Sequence, residues 1–156
     1  MVANRSAARG PVVPVLVYEE VGKAIDWLCY TFAFTEVFRY GPPDHPGGAQ
    51  LAAGAGAVFL TSPRVGQSSE WGDRAAFRPP RPDEVTHTVM VNVEDVDRHY
   101  AHVKGLGARI LHPPETHPFG ERQYTAEDLG GHRWTFTQSV ADVAPEEWGG
   151  QSASPR

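Results

Sequence analysis

The sequence is short of several things that would narrow its chemistry. It has one cysteine, Cys29, so no disulfide can close within the chain and no thiolate set can hold a metal. It has no apolar run of membrane-spanning length, and its opening MVANRSAARGPVVPV lacks the apolar core of a secretory leader, so export is not expected. Basic residues are too few and too scattered for a nucleic-acid footprint: Lys and Arg number 14 against 19 Asp and Glu, a formal net charge of −5. No GxSxG nucleophile motif occurs, and the glycine-rich GAGAV at 54–58 does not sit between a strand and a helix as a phosphate loop would. Cys29 falls inside an apolar helical pattern with no cationic neighbour, which reads as an inert core thiol. These absences point to a reduced, cytoplasmic protein that binds neither nucleic acid nor membrane. The partner they leave is a small molecule, neutral or cationic.

What is present is a repeat. VLVYEEVGKAIDWL (15–28) aligns with MVNVEDVDRHYAHV (90–103) at an offset of 75, and the same offset lays GAVFLT (56–61) on GHRWTF (131–136). Each half opens with a β-branched run, 12–18 or 85–93, followed by an acidic pair suited to a helix N-terminus. Val21, Ala24, Ile25, Leu28 and Phe32 then recur at helical spacing, as do Val96, Tyr100, Val103 and Leu106. Three short extended pieces follow in each half: TEVFRYG, AQLAAG and AVFLTS, then ARILH, ERQYTAED and HRWTFTQ. The unit is βαβββ, twice. The organisation expected is a disordered N-terminus over 1–11, a first module over 12–62, a connecting loop over 63–84, a second module over 85–140 and a tail over 141–156. The loop carries Trp71 and Phe77 among prolines and polar residues, and reads either as a lid over a ligand or as a mobile linker.

The two βαβββ modules, the EDVD at the second helix start and the closing GERQYTAEDLGGHRWTF resemble the vicinal oxygen chelate superfamily, and within it the glyoxalase/bleomycin-resistance-like proteins. The resemblance covers roughly residues 12–140, with Leu129 standing where such turns usually carry Pro. It implies an α+β fold in which the modules form a curved mixed sheet around a cavity, and a two-fold homodimer. In metal-using members an opening-strand His and a last-strand Glu from each half are the ligands. Carried onto this chain, those places fall at Val13, Leu60, Thr88 and Thr135, none of which ligates a divalent cation. No metal and no cofactor are therefore expected. His87 lies one residue from a ligand place and so on the other face of its strand. His99 and His102 read as a solvated helix face, His45, His112 and His117 as loop residues, and His132 as structural.

Strand alternation from Thr135 places Arg133 and Thr137 toward the cavity, with Thr88, Met90 and Asn92 beside them and Trp134 and Phe136 toward the helices. A four-residue turn at 128–131 would set Ala126 opposite Arg133, Tyr124 opposite Thr135 and Arg122 opposite Thr137. The resulting ligand-binding set is Trp71, Thr88, Met90, Asn92, Phe119, Arg122, Tyr124, Arg133 and Thr135. Arg122 paired with a nearby Glu, and Tyr124 in the core, are the competing readings. Two functions stay open: a metal-free module that sequesters a planar aromatic compound or antibiotic, and a lyase, isomerase or dioxygenase working without metal or with relocated ligands.

Overall fold

The computed structural model describes residues 2–63 and 78–154. Trp71, Phe77 and most of the connecting loop lie outside the described residues. The first module contains β1 (Val15–Val17), α1 (Val21–Thr31), β2 (Thr35–Tyr40), β3 (Gly48–Ala53) and β4 (Gly56–Thr61). The second contains β5 (Val89–Asn92), α2 (Val96–Gly105), β6 (Arg109–Thr116), β7 (Glu121–Glu127) and β8 (Arg133–Ser139), followed by a 3-10 turn at Pro145–Trp148. Each module forms one mixed four-stranded sheet, ordered β1-β4-β3-β2 and β5-β8-β7-β6, with the opening strand parallel to the closing one. The fold is α+β and the two βαβββ units are the repeat read from the sequence.

The opening strands are shorter than the β-branched runs that foreshadowed them, because the residues before Val15 and Val89 have left the ladder. α1 buries Val21, Ala24, Ile25 and Leu28 on its sheet, with Phe32 at its C-cap. α2 buries Val96 and Val103, and the Asp95 side chain accepts from the Arg98 N–H at 3.0 Å to cap it. Leu106, expected in the α2 stripe, lies past the end of the helix and is exposed.

One core serves both modules. Phe32 packs edge-on against Trp134 at 5.7 Å and Phe136 at 4.9 Å between ring centroids, and Phe34 lies 5.3 Å from Trp134. All four rings are buried, and stripping one such ring from a packed core costs about 3–5 kcal/mol.

The closing hairpin departs from the expected register. Its loop runs from Asp128 to His132, five residues rather than four, and pairs Glu127 with Arg133, Ala126 with Trp134, Thr125 with Thr135, Tyr124 with Phe136 and Gln123 with Thr137. The cause is Asp128. Its Oδ1 accepts from the N–H groups of Gly130 at 2.9 Å and His132 at 3.0 Å, so the carboxylate fills the loop and holds it one residue wider. The loop also needs its glycines: Gly131 has φ +86°, and a Cβ on Gly130 would meet the Tyr18 ring at 2.7 Å. A one-residue change of register turns every β7 side chain to the other face.

Candidate functional site

Each sheet has one face on its helix and one face turned away from it, and the two outward faces differ. On the first sheet Phe38 and Tyr40 flank Phe59 at 5.9 and 6.2 Å. The face also carries Gln50, fully buried because the N-terminal segment lies across it: Gln50 Oε1 accepts from the Arg9 N–H at 2.9 Å and its Nε2 donates to the Ala7 carbonyl at 3.4 Å. The chain covers this face over Gln50, with Phe38 and Phe59 half-buried and Tyr40 exposed beside it.

The second sheet's outward face is a floor of small polar groups. Thr88 Oγ1 lies 3.1 Å from Thr135 Oγ1, which lies 3.4 Å from Thr125 Oγ1. Thr137 donates to Glu121 Oε2 at 2.8 Å, and Gln123 Nε2 donates to the same oxygen at 2.8 Å and to Thr137 at 3.2 Å. Met90, paired with Thr135, is 56% exposed, and Asn92, paired with Thr137, is exposed as well. At the far end Glu127 meets Arg109 at 2.9 Å and Arg133 at 3.8 Å. Of the residues singled out from the sequence, Thr88, Met90, Asn92, Arg133 and Thr135 share this face. Gln123, Thr125, Glu121 and Glu127 join them. The sequence reading left these four off this face because it assumed the shorter turn.

The same shift removes two expected members. Tyr124 lies on the helix-covered face, buried against Phe136 and Tyr100, with its hydroxyl 2.6 Å from His99 Nδ1. Burial drives its phenol well above its ordinary range. Arg122 turns to α2 and grips Asp97 with two hydrogen bonds of 2.9 Å, which hold that carboxyl below its usual range. His99, read as a solvated helix residue, is half-buried and spans the modules: its Nε2 reaches the Phe32 carbonyl at 3.0 Å. His132 is structural, as expected, with Nε2 donating to the Val17 carbonyl at 2.7 Å. His87 is exposed. Phe119 sits at the β6–β7 turn, stacked on His117 at 4.9 Å and edge-on to Trp148 at 5.6 Å.

One ligand place also moves. Leu16 corresponds to Val91, 75 positions on, but Leu60 corresponds to Phe136, 76 positions on. Leu60 is therefore a core residue under α1, and the outward position matching Thr135 is Phe59. The four places become Val13, Phe59, Thr88 and Thr135, a set of hydrocarbon and hydroxyl that does not fit zinc, iron or manganese. Among the described residues no three His, Cys, Asp or Glu side chains gather as a metal site would need. The Cys29 thiol is pushed up by burial and by Glu36, as suits a packing residue.

A family profile described as glyoxalase/bleomycin resistance protein/dioxygenase superfamily matches residues 11–136. The chain belongs to that superfamily. Its fold is similar to the crystal structure of TioX from Micromonospora sp. ML1, at 29% identity and a TM-score of 0.67 over 84% of this chain and 99% of that one. It is similar also to a glyoxalase/bleomycin resistance protein/dioxygenase from Nocardioides (16% identity, TM-score 0.63, 95% of this chain and 93% of that one). A lactoylglutathione lyase from Agrobacterium tumefaciens shares the fold at 14% identity and a TM-score of 0.60, over 84% of this chain and 96% of that one. No curated protein matches the chain. Superfamily membership fixes the architecture and the general habit of binding small molecules. It does not choose between binding and turnover, which rests on the side chains of the second sheet.

Proposed function

We propose that this chain is a metal-free small-molecule binding protein, with the outward face of the second sheet as its ligand floor. The observation that carries the reading is the contrast between the two outward faces. The first is closed over Gln50 by the chain's own residues 7–9, while the second leaves Thr88, Met90 and Asn92 exposed and Gln123 and Thr125 half-buried around the buried Thr135.

Hydroxyls, two amides and a thioether at these places give hydrogen bonding and contact area and supply no Lewis acid. The residue types suit a planar aromatic body laid across the threonines, held chiefly by desolvation and contact. A single sheet face is a surface rather than an enclosure. Hollows of about 530 and 590 Å3 in this chain follow the seams between its parts, the larger with Asn92 in its lining. We infer that a second copy of the chain closes the floor, giving a two-fold homodimer, with Phe119 as a further wall.

Equilibrium dialysis against planar aromatic amines, alcohols and acids, with chromatography of the recovered compound, tests the reading. Saturable binding of about one molecule per chain, recovered unaltered, is expected. Steady conversion of a bound compound would replace the binding reading with the enzymatic one.

A further inference from the structure

Charges on the second outward face sort into two ends. At one end Glu127 is shared between Arg109 and Arg133. Arg122, which would have placed a second guanidinium at the other end, is engaged by Asp97 on the opposite side of the sheet. That leaves Glu121, half-buried, without a cationic partner among the described residues. Its carboxylate is nonetheless fixed in place. Thr137 and Gln123 both donate to Oε2 at 2.8 Å, neutral donors that orient the group without cancelling its charge, and no hydrogen bond within the described residues engages Oε1.

An aromatic cluster adjoins this carboxylate in the chain. Phe119, two residues before Glu121, stacks on His117 with the rings 5° from parallel, and Trp148 closes edge-on from the C-terminal turn. Gly120, at φ +82°, makes the bend between cluster and strand. Trp148 remains 46% exposed although it packs there. A preorganised carboxylate with one free oxygen, two residues along the chain from the Phe119 ring on which an exposed indole packs, supplies the chemistry that recognises an organic cation: the carboxylate takes the N–H and the ring face takes the positive charge.

We infer that Glu121 is the specificity-determining residue of the ligand floor and selects planar aromatic ligands that carry a protonated amine, with Trp148 and Phe119 as the wall beside it. The inference rests on the reading of the second outward face as the ligand floor. The amine lies over the Glu121 end while the ring system spans the threonines toward Thr135. The net charge of −5 assists encounter with such cations.

Three probes of one shape separate the ideas: 1-naphthylmethylamine, 1-naphthylmethanol and 1-naphthoate, titrated calorimetrically into the full chain. The amine is expected to bind about tenfold tighter than the alcohol, which is about 1.4 kcal/mol, and the acid weakest. Glu121→Gln should erase the preference of amine over alcohol. Trp148→Ala should weaken the amine about threefold or more. Equal binding of amine and alcohol by the wild type, or a preference that survives Glu121→Gln, would overturn the inference and leave the binding reading standing. Failure of all three probes to bind at millimolar concentration would overturn both. Thermal melting of each variant shows whether a loss reflects folding.

Discussion

The Tyr124 hydroxyl donates to His99 Nδ1 at 2.6 Å, while Nε2 of the same ring donates to the carbonyl of Phe32 at 3.0 Å. A carbonyl can only accept, so the proton sits on Nε2 and Nδ1 takes the phenol's hydrogen. One neutral imidazole thus ties β7 and α2 of the second module to the end of α1 in the first. Tyr124→Phe should cost about 1–2 kcal/mol in urea denaturation, the loss of a largely buried hydrogen bond, and leave ligand affinity unchanged. A fall in affinity without a fall in stability would return Tyr124 to the binding site.

The same clasp carries a pH dependence. Burial holds the His99 imidazole below its ordinary value of 6.5, with the Phe32 carbonyl opposing and His102 adding to the effect. Below that value the unfolded chain takes up a proton that the folded chain resists. The contribution is therefore complete above pH 6.5 and is lost as pH falls through it toward the folded-state value. Urea midpoints at about pH 7.5 and pH 5.5 should show the wild type losing more stability on acidification than His99→Gln. Equal losses would mean that His99 plays no part.

Asp128 should be the costliest polar residue to replace. It is buried and accepts from Gly130 N, His132 N, Trp134 Nε1 at 2.9 Å and the Tyr18 hydroxyl at 2.6 Å, the last from the other module 110 residues away. Asp128→Asn turns an amide nitrogen toward some of these donors, and a loss of about 2–4 kcal/mol is expected in denaturation. Tyr18→Phe removes a single donor and should cost less. A near-neutral Asp128→Asn would show that the hairpin loop is held by its glycines alone.

Sedimentation velocity at micromolar concentration should find twice the chain mass, and the melting temperature should rise with protein concentration, as linked folding and association require. A monomer at all concentrations would leave the ligand floor as a single open surface and remove the second copy from the account.

The fold was legible because a repeated βαβββ pattern writes itself twice, and an offset of 75 is visible wherever helices set the spacing, as from Val21 to Val96. The site was legible only in part, for a local reason. Thr88, Met90, Asn92 and Arg133 follow from alternation along β5 and β8, which needs no knowledge of the turn. Arg122 and Tyr124 depend on where β7 begins to pair, and that is set by the Asp128 carboxylate binding two N–H groups inside the loop. An Asp followed by Gly-Gly at 130–131 was the signal available for a wider loop. Leu60 failed for a related reason: a constant offset assumes strands of equal phase, and β8 runs one residue ahead of β4. His99 gave no sign in the sequence of its partners, which come from 25 and 67 residues away.

The central claim, that ligand binds without metal on the outward face of the second sheet, meets its most direct test in one calorimetric titration. 1-Naphthylmethylamine is titrated in excess EDTA into wild type and into Thr135→Phe, whose added ring would occupy the threonine floor. The account predicts saturable binding by the wild type that is indifferent to the chelator. It also predicts loss of at least about tenfold in affinity in Thr135→Phe, with the fold intact by circular dichroism. Binding that vanishes in EDTA, or that Thr135→Phe leaves untouched, would contradict it.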